Sequence, residues 1–483
     1  MRHFLNPILF IFLCAVYGNV FGQGSTPPNV VMICVDDMNG YGIKKEYPGF
    51  ITPHLDKLKS QSVNFINAAC NSPVCNPSRS SFYSGLYPHT TGAYLNGSDG
   101  WNRSEQLKSI RNLPEHFKDN GYKTWGAGKL LHNPISKEKE KGMWDNFPVY
   151  KGGFGPFPDE EHQSGITKFF SIQEWEGEDT DFPDVKNALS AVEFLDQEHE
   201  QPFFMSLGLW RPHCPYTAPK RFFDLYQNHH FSLPPGYQEE DLQDVGHLGK
   251  MLTDSLHRFH KAGESVENFI RAYAANYSFA DWTVGLVLEA LENSAYADNT
   301  IVVFFSDNGY HCGEKKRWGK ATLWEQADYV PLLIKIPHAK SGISKATVSL
   351  VDLYPTLVEL CAIQFPEHQL DGHSFAAQLG RPQQNWSHSS ITTYGVNYTS
   401  IRNERYRFIQ YPDGTEELYD HKKDPFEWHN VIRQKRYSKI VTALRKKIPS
   451  EWAPSTGGRL EVPRKFKEVM REKTPWDHVK PKT

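Results

Sequence analysis

The stretch NVVMICVDD, residues 29–37, decides the fold. From Asn29 to Val35 it is a short, β-branched, apolar run, too short for a buried helix and of the type that forms a strand covered on both faces. It ends on two adjacent carboxylates, Asp36 and Asp37. The same pattern recurs far along the chain. Thr300 to Phe305 (TIVVFF) is another strand-type run, and it ends in Ser306-Asp307-Asn308-Gly309. Between and around these two strands, helix and strand patterns alternate. Pro53–Gln61 reads as an amphipathic helix, and Asn71–Gly85 as a loop entering a short helix. Leu113–Asn120, closed by Gly121, reads as a helix before a strand at Tyr122–Ala127. A helix at Val185–Glu198 precedes a strand at Pro202–Leu209. A long helix over Ser265–Asn293 leads into Thr300, and Pro331–Ile336 then Asp352–Cys361 repeat strand and helix. This alternation predicts an α/β fold with a large mixed, mostly parallel central sheet flanked by helices.

The pattern changes near residue 385. Ser389–Tyr394, Thr399–Asn403, Tyr406–Tyr411 and Glu416–Tyr419 are short strands separated by Gly, Asn and Asp turn signals, followed by a basic-faced helix at Arg433–Lys447. The expected organisation is a catalytic domain over 24–384 and a C-terminal subdomain over 385–483, an antiparallel sheet plus helix packed on the first. Residues 150–182 are rich in Gly, Pro and Glu and read as a long loop. At the start, Arg2 and His3, the apolar run Ile8–Val16 and Val20-Phe21-Gly22 read as a signal peptide over 1–22, with an uncleaved anchor as the alternative. The expected address is therefore exported, periplasmic or secreted, with no membrane span after cleavage.

The 483 residues carry 53 Lys+Arg and 56 Asp+Glu, a net charge of −3, which gives no electrostatic case for nucleic-acid binding. Hydrophobic residues at 39% are enough for a sizeable core. Of the 7 Cys, Cys14 lies in the leader. The other six show no CxxC pair or even spacing, so neither a disulfide framework nor a zinc ribbon is implied.

Chemistry concentrates in Cys75-Asn76-Pro77-Ser78-Arg79. Pro77 suits a first helical turn. Residue 75 would then sit at the positive end of the helix dipole, with Arg79 one turn on along the same face. A nucleophile and a fixed cation so arranged suit attack on a tetrahedral oxyanion, although the pentapeptide alone also fits a capped helix with a buried thiol. Ligands of open α/β sheets bind beyond the carboxyl ends of the strands, so Asp36-Asp37 and Asp307-Asn308 can converge there. Four oxygen-bearing side chains without histidine describe a hard-cation site, calcium or magnesium. Gly128-Lys129-Leu130-Leu131-His132 adds an ammonium and an imidazole on one face of a helical turn. Trp210-Arg211-Pro212-His213-Cys214-Pro215 adds a histidine after a strand, and Lys320 lies in the Gly309–Ala321 loop. His311 reads as structural.

These motifs, in this order, resemble the type I sulfatases of the alkaline phosphatase superfamily, and within them the iduronate-2-sulfatase-like branch. The resemblance covers about residues 28–445 and includes Glu417-Leu418-Tyr419-Asp420, Asp424-Pro425 and Asn430. It implies an alkaline phosphatase-like sheet and conversion of Cys75 to formylglycine (3-oxoalanine) by a maturation enzyme. One hydroxyl of the aldehyde hydrate would attack sulfur, and the second would later expel sulfate. It implies one Ca²⁺ held by Asp36, Asp37, Asp307, Asn308 and residue 75. Arg79 and Lys129 would stabilise the modified residue and the sulfate oxygens, His132 would take the proton that triggers sulfate release, and His213 and Lys320 would face the leaving group, with His213 as general acid. Asn76, Tyr83 and Ser84 depart from the commoner run around the motif.

The expected function is sulfatase action on a sulfated carbohydrate, an algal polysaccharide such as ulvan or carrageenan, or a glycosaminoglycan. Two alternatives stand beside it: a phosphonate monoester or phosphodiester hydrolase of the same superfamily, and a non-catalytic glycan-binding protein in which Cys75 stays a thiol.

Overall fold

The computed structural model describes residues 27–45, 47–147, 153–162, 168–253 and 265–458. The leader-type segment 1–22 and parts of the 150–182 stretch lie outside them. Among the described residues no helix is long and apolar enough to cross a membrane.

The central sheet has seven strands. From one edge to the other they are Gly342–Ser344, Val63–Phe65, Leu332–Lys335, Thr300–Ser306, Asn29–Asp36, Phe203–Pro212 and Lys123–Gly128. Six point the same way and Leu332–Lys335 alone runs against them. The first strand shows why the sequence folds so. Val31, Ile33 and Val35 enter one core with residues of the helices Pro53–Ser60, Pro183–Leu195 and Val266–Glu292. Val30, Met32 and Cys34 enter a second core, shared with the helices Cys75–Ser84, Leu113–Asp119 and Leu353–Leu360. A strand apolar on both sides needs two helical layers, and the chain supplies them.

The C-terminal sheet is Ser390–Thr393, Thr399–Arg402, Tyr406–Gln410 and Glu416–Asp420, antiparallel and in sequence order. Ile401, Phe408 and Leu418 on it pack with Val441 and Leu444 of the helix Ser438–Arg445, which is shorter than the sequence suggests because Lys435–Tyr437 forms a 3₁₀ turn. This sheet meets the rest of the molecule across a buried ion cluster. Arg407, 1% exposed, donates from Nε to Glu427 Oε1 at 2.6 Å and pairs with Asp328 and Glu325. Lys315 donates to Asp241 Oδ1 at 2.6 Å and to the Glu427 carbonyl.

Two local expectations change. The described part of residues 150–182 is not a plain loop: Ile172–Trp175 forms a strand paired in parallel with Tyr216–Pro219, and short 3₁₀ turns flank it. Lys129 to His132 is not a helical turn but a run of bends and coil after the strand ends at Gly128. Gly128 has φ +77°, and a Cβ there would lie 2.0 Å from the Gly208 carbonyl oxygen, so only glycine lets the chain turn this close to its neighbour. The six cysteines among the described residues are all buried and unbridged.

Candidate active site

The register of the two acidic strands builds the site. Asn29–Asp36 and Thr300–Ser306 pair in parallel with Val35 opposite Ser306, so their following residues emerge side by side. The Asp307 N–H donates to the Val35 carbonyl at 3.1 Å, and the Met38 N–H to Ser306 Oγ at 2.9 Å. The crossing is held at a backbone cost. Asp37 has φ 63°, a left-handed conformation that costs a non-glycine residue about 1 kcal/mol or more. Its N–H donates to Asp307 Oδ1 at 3.3 Å, and its carbonyl accepts from the Tyr273 hydroxyl at 2.7 Å. Tyr273, on the long helix Val266–Glu292, is a buttress that helical periodicity marks only as core.

Cys75 opens the helix Cys75–Ser84, with every residue of that helix buried and Gly85 closing it in the left-handed conformation. The Cys75 thiol donates to Asp36 Oδ1 at 3.2 Å, and the Lys320 ammonium lies 2.7 Å from its sulfur. Arg79, fully buried, donates from Nε to Asp307 Oδ2 at 2.8 Å and from Nη1 to the Lys129 carbonyl. Lys129 pairs with Asp36, and Lys320 with Asp37. His213 directly follows the strand Phe203–Pro212. Its Nδ1 bonds the Cys214 carbonyl at 2.5 Å, which leaves Nε2 toward the site, 3.5 Å from Asp37 Oδ2. Asn308 donates from Nδ2 to Asp37 Oδ1 at 2.7 Å. His132 is largely buried, and its Nδ1 has no hydrogen-bond partner.

The sequence therefore names residues that the fold brings together. Asp36, Asp37, Cys75 and His213 present ligand atoms all within 4.8 Å of one another. Three carboxylates, Asp36, Asp37 and Asp307, face three cations, Arg79, Lys129 and Lys320, so the cluster is formally neutral. Burial works to raise the Asp36 carboxyl, but the Lys129 ammonium, aided by His213, Lys320 and Arg79, outweighs it and holds the group well below the ordinary range. Burial wins at Asp37, which is pushed up to about 6 despite Lys320, with Asp36 adding repulsion. It wins at Asp307 too, also about 6, against the pull of Arg79. Burial, with Lys129 and Lys320 adding repulsion, lowers His132 to about 3 and keeps it neutral. Burial also raises the Cys75 thiol well above its usual value, with Asp36 adding to the effect, so the unmodified residue is a poor thiolate.

The donor set fits a hard divalent cation. Three buried carboxylates and a buried, unpartnered amide oxygen, Asn308 Oδ1, converge here. A divalent ion added to the neutral cluster would leave it positive, matched to an oxyanion. His311 lies outside this set, buried, with Nε2 2.7 Å from Thr322 Oγ1, in the structural role the sequence suggests.

One group was not legible. Phe154, from the irregular 150–182 segment, places its ring 4.6 Å from the His213 ring and 5.0 Å from the Lys129 ammonium. Its carbonyl accepts from the buried Arg211 Nη1 at 3.0 Å. It forms an apolar wall beside His213, and no periodicity or motif announces it.

Known proteins resemble the chain over most of its length. The family model "Sulfatase" matches residues 28–363, and the model "N-sulphoglucosamine sulphohydrolase, C-terminal" matches 313–453. A sulfatase of Formosa agariphila is 37% identical over 444 residues, covering 87% of this chain and 86% of that protein. Iduronate 2-sulfatase of Mus musculus is 29% identical, covering 78% of this chain and 76% of its own. A solved structure of a protein in complex with its substrate D-glucosamine-2-N,6-O-disulfate shares the fold, with a TM-score of 0.68 at 20% identity, covering 87% of this chain and 96% of that one.

Proposed function

The chain belongs to the sulfatase family, and on that premise we propose that it hydrolyses sulfate esters of a sulfated carbohydrate, with residue 75 as formylglycine and Ca²⁺ held by Asp36, Asp37, Asp307 and Asn308. The observation that carries this reading is the convergence of Cys75, at a helix N-terminus, with three buried carboxylates and three buried or nearly buried cations. A formylglycine hydrate supplies a nucleophile that can later release sulfate by elimination rather than by a second attack at sulfur. Calcium held by these residues would supply positive charge to acidify that hydrate and neutralise a sulfate oxygen.

The chain's own residues do the rest. Lys129 and Lys320 flank residue 75 and present fixed charge to the sulfate oxygens, worth most in a site this dry. Arg79, locked on Asp307, has a buried Nη2 without a partner, a donor left for an oxyanion. His213 keeps Nε2 toward the site and serves as general acid, because a sugar alkoxide leaves poorly without a proton; burial holds the free imidazole well below its ordinary value, so the bound sulfate anion is needed to support its proton. His132, neutral and desolvated, is the base that takes a proton from residue 75. Phe154 keeps water from His213 and offers a flat apolar face to a sugar ring. The leader-type segment 1–22 supports export to the periplasm, and a formylglycine-generating enzyme is the implied maturation partner.

The test is free sulfate released from a panel of sulfated oligosaccharides by protein made in a formylglycine-generating host, with a matched phosphate ester alongside. Sulfate release with silence on the phosphate ester supports the reading. Turnover of the phosphate ester alone would move the protein to the phosphonate or phosphodiester hydrolases.

Two expected results arise here. His213→Ala should lower kcat/KM on sugar sulfates by about 100-fold or more, but on 4-nitrophenyl sulfate by under about fivefold, since nitrophenolate leaves without a proton. Equal losses on both substrates would remove His213 as the acid. Chelation with EDTA should abolish turnover and lower the melting temperature, and added calcium should restore both. Removing an ion present at 100 times its Kd costs about 2.7 kcal/mol. A melt and a rate indifferent to EDTA would show that the carboxylates hold no exchangeable ion.

A further inference from the structure

Asn76 follows residue 75, and its amide reaches a separate segment of chain. Its Nδ2 lies 3.1 Å from the Leu95 carbonyl, 3.2 Å from that of Asn96 and 2.7 Å from that of Ser98. Its backbone N–H donates to Asn96 Oδ1 at 3.0 Å. From the other side comes Asn133, the neighbour of His132. Its Nδ2 donates to the same two carbonyls, Asn96 at 3.2 Å and Ser98 at 2.7 Å. The shared segment is itself anchored: Ser98 Oγ donates to the Gly457 carbonyl at 2.7 Å and accepts the Leu95 N–H at 3.1 Å. A carbonyl has two lone pairs, so each can serve both amides at once.

The His132 ring needs such support. Its Nδ1 has no partner, so that nitrogen does not fix the ring, and the Lys129–His132 run has no regular secondary structure. Lys129 fixes one end through Asp36, and Asn133 is the hydrogen-bonded anchor at the other.

We propose that Asn76 and Asn133 are positioning residues, which hold residue 75 and His132 in fixed mutual placement through the shared carbonyls of Asn96 and Ser98. The inference rests on the reading of Cys75 as nucleophile and His132 as base. A displacement of about 1 Å between reacting groups can cost on the order of 100-fold in rate, so the clamp acts on kcat rather than on substrate binding.

The experiment compares wild type, Asn76→Ala, Asn133→Ala, the double variant and the isosteric Asn133→Asp, which swaps a donor for an acceptor. Rates on 4-nitrophenyl sulfate are expressed per mole of formylglycine counted by peptide mass, beside thermal melts and Cys75→Ala as a blank. With this ester the leaving group needs no proton, so the step that His132 serves weighs on kcat. Each single change should lower kcat about 10- to 100-fold with KM within about twofold. The double variant should lose little more than the worse single one, because both amides act through the same carbonyls. Asn133→Asp should lose as much as Asn133→Ala. Unchanged kcat per formylglycine, a fall in melting temperature alone, or losses that multiply would overturn the clamp. Turnover that persists in Cys75→Ala would overturn the underlying reading instead, and failure of the clamp leaves that blank inert.

Discussion

Cys75→Ala should abolish turnover, a loss of roughly 10⁴-fold or more, while the melting temperature stays within a few degrees of wild type. The geometry sets both halves of this expectation. Residue 75 touches a carboxylate and an ammonium at once, Asp36 Oδ1 at 3.2 Å and Lys320 Nζ at 2.7 Å, so no other nucleophilic side chain holds that position. The chain loses only one sulfur atom from a helix whose remaining residues stay buried. Sulfate release and a thermal melt on the same preparations check it. Retained activity would place the nucleophile elsewhere and end the formylglycine reading.

Asp307→Ala should be nearly as severe and should also destabilise. It removes the partner of a fully buried guanidinium, Arg79, and breaking a buried pair in this way costs about 3–5 kcal/mol. It also deletes one of the carboxylates proposed to hold the cation. Activity should fall by about 10³-fold or more, and the difference in melting temperature between calcium and EDTA should disappear. Asp307→Asn keeps the shape and loses the charge, so it should recover part of the stability and little of the activity. A variant that still melts higher in calcium would exclude Asp307 as a ligand.

Much of this was legible in the sequence for a physical reason. A short apolar strand followed by acids announces both its place in a buried sheet and the end at which ligands collect, so Asp36, Asp37, Asp307 and Asn308 could be grouped across more than half the chain. Cys75 and Arg79 follow from helical spacing once Pro77 marks a first turn. Direction is not written in an apolar run, so nothing marks Leu332–Lys335 as the strand that runs against the rest. Spacing misled at Lys129 and His132, since a glycine at positive φ breaks the turn that their separation suggests. Phe154 and Asn133 act from stretches without period, through contacts that only the closed fold creates.

The cluster around Arg407 bears on when the site can come into being. Glu325 and Asp328 lie just beyond the loop that carries Lys320, and their buried partner is on a strand some eighty residues later in the chain. Lys315, within that loop, is tied to the carbonyl of Glu427. A ribosome that has made everything through Lys320 has thus made all the acids and cations of the centre, yet not the groups that seat the segment presenting that last cation. On this geometry the segment presenting Lys320 is seated only after residue 427 has been made, so the C-terminal sheet completes what the first strands begin.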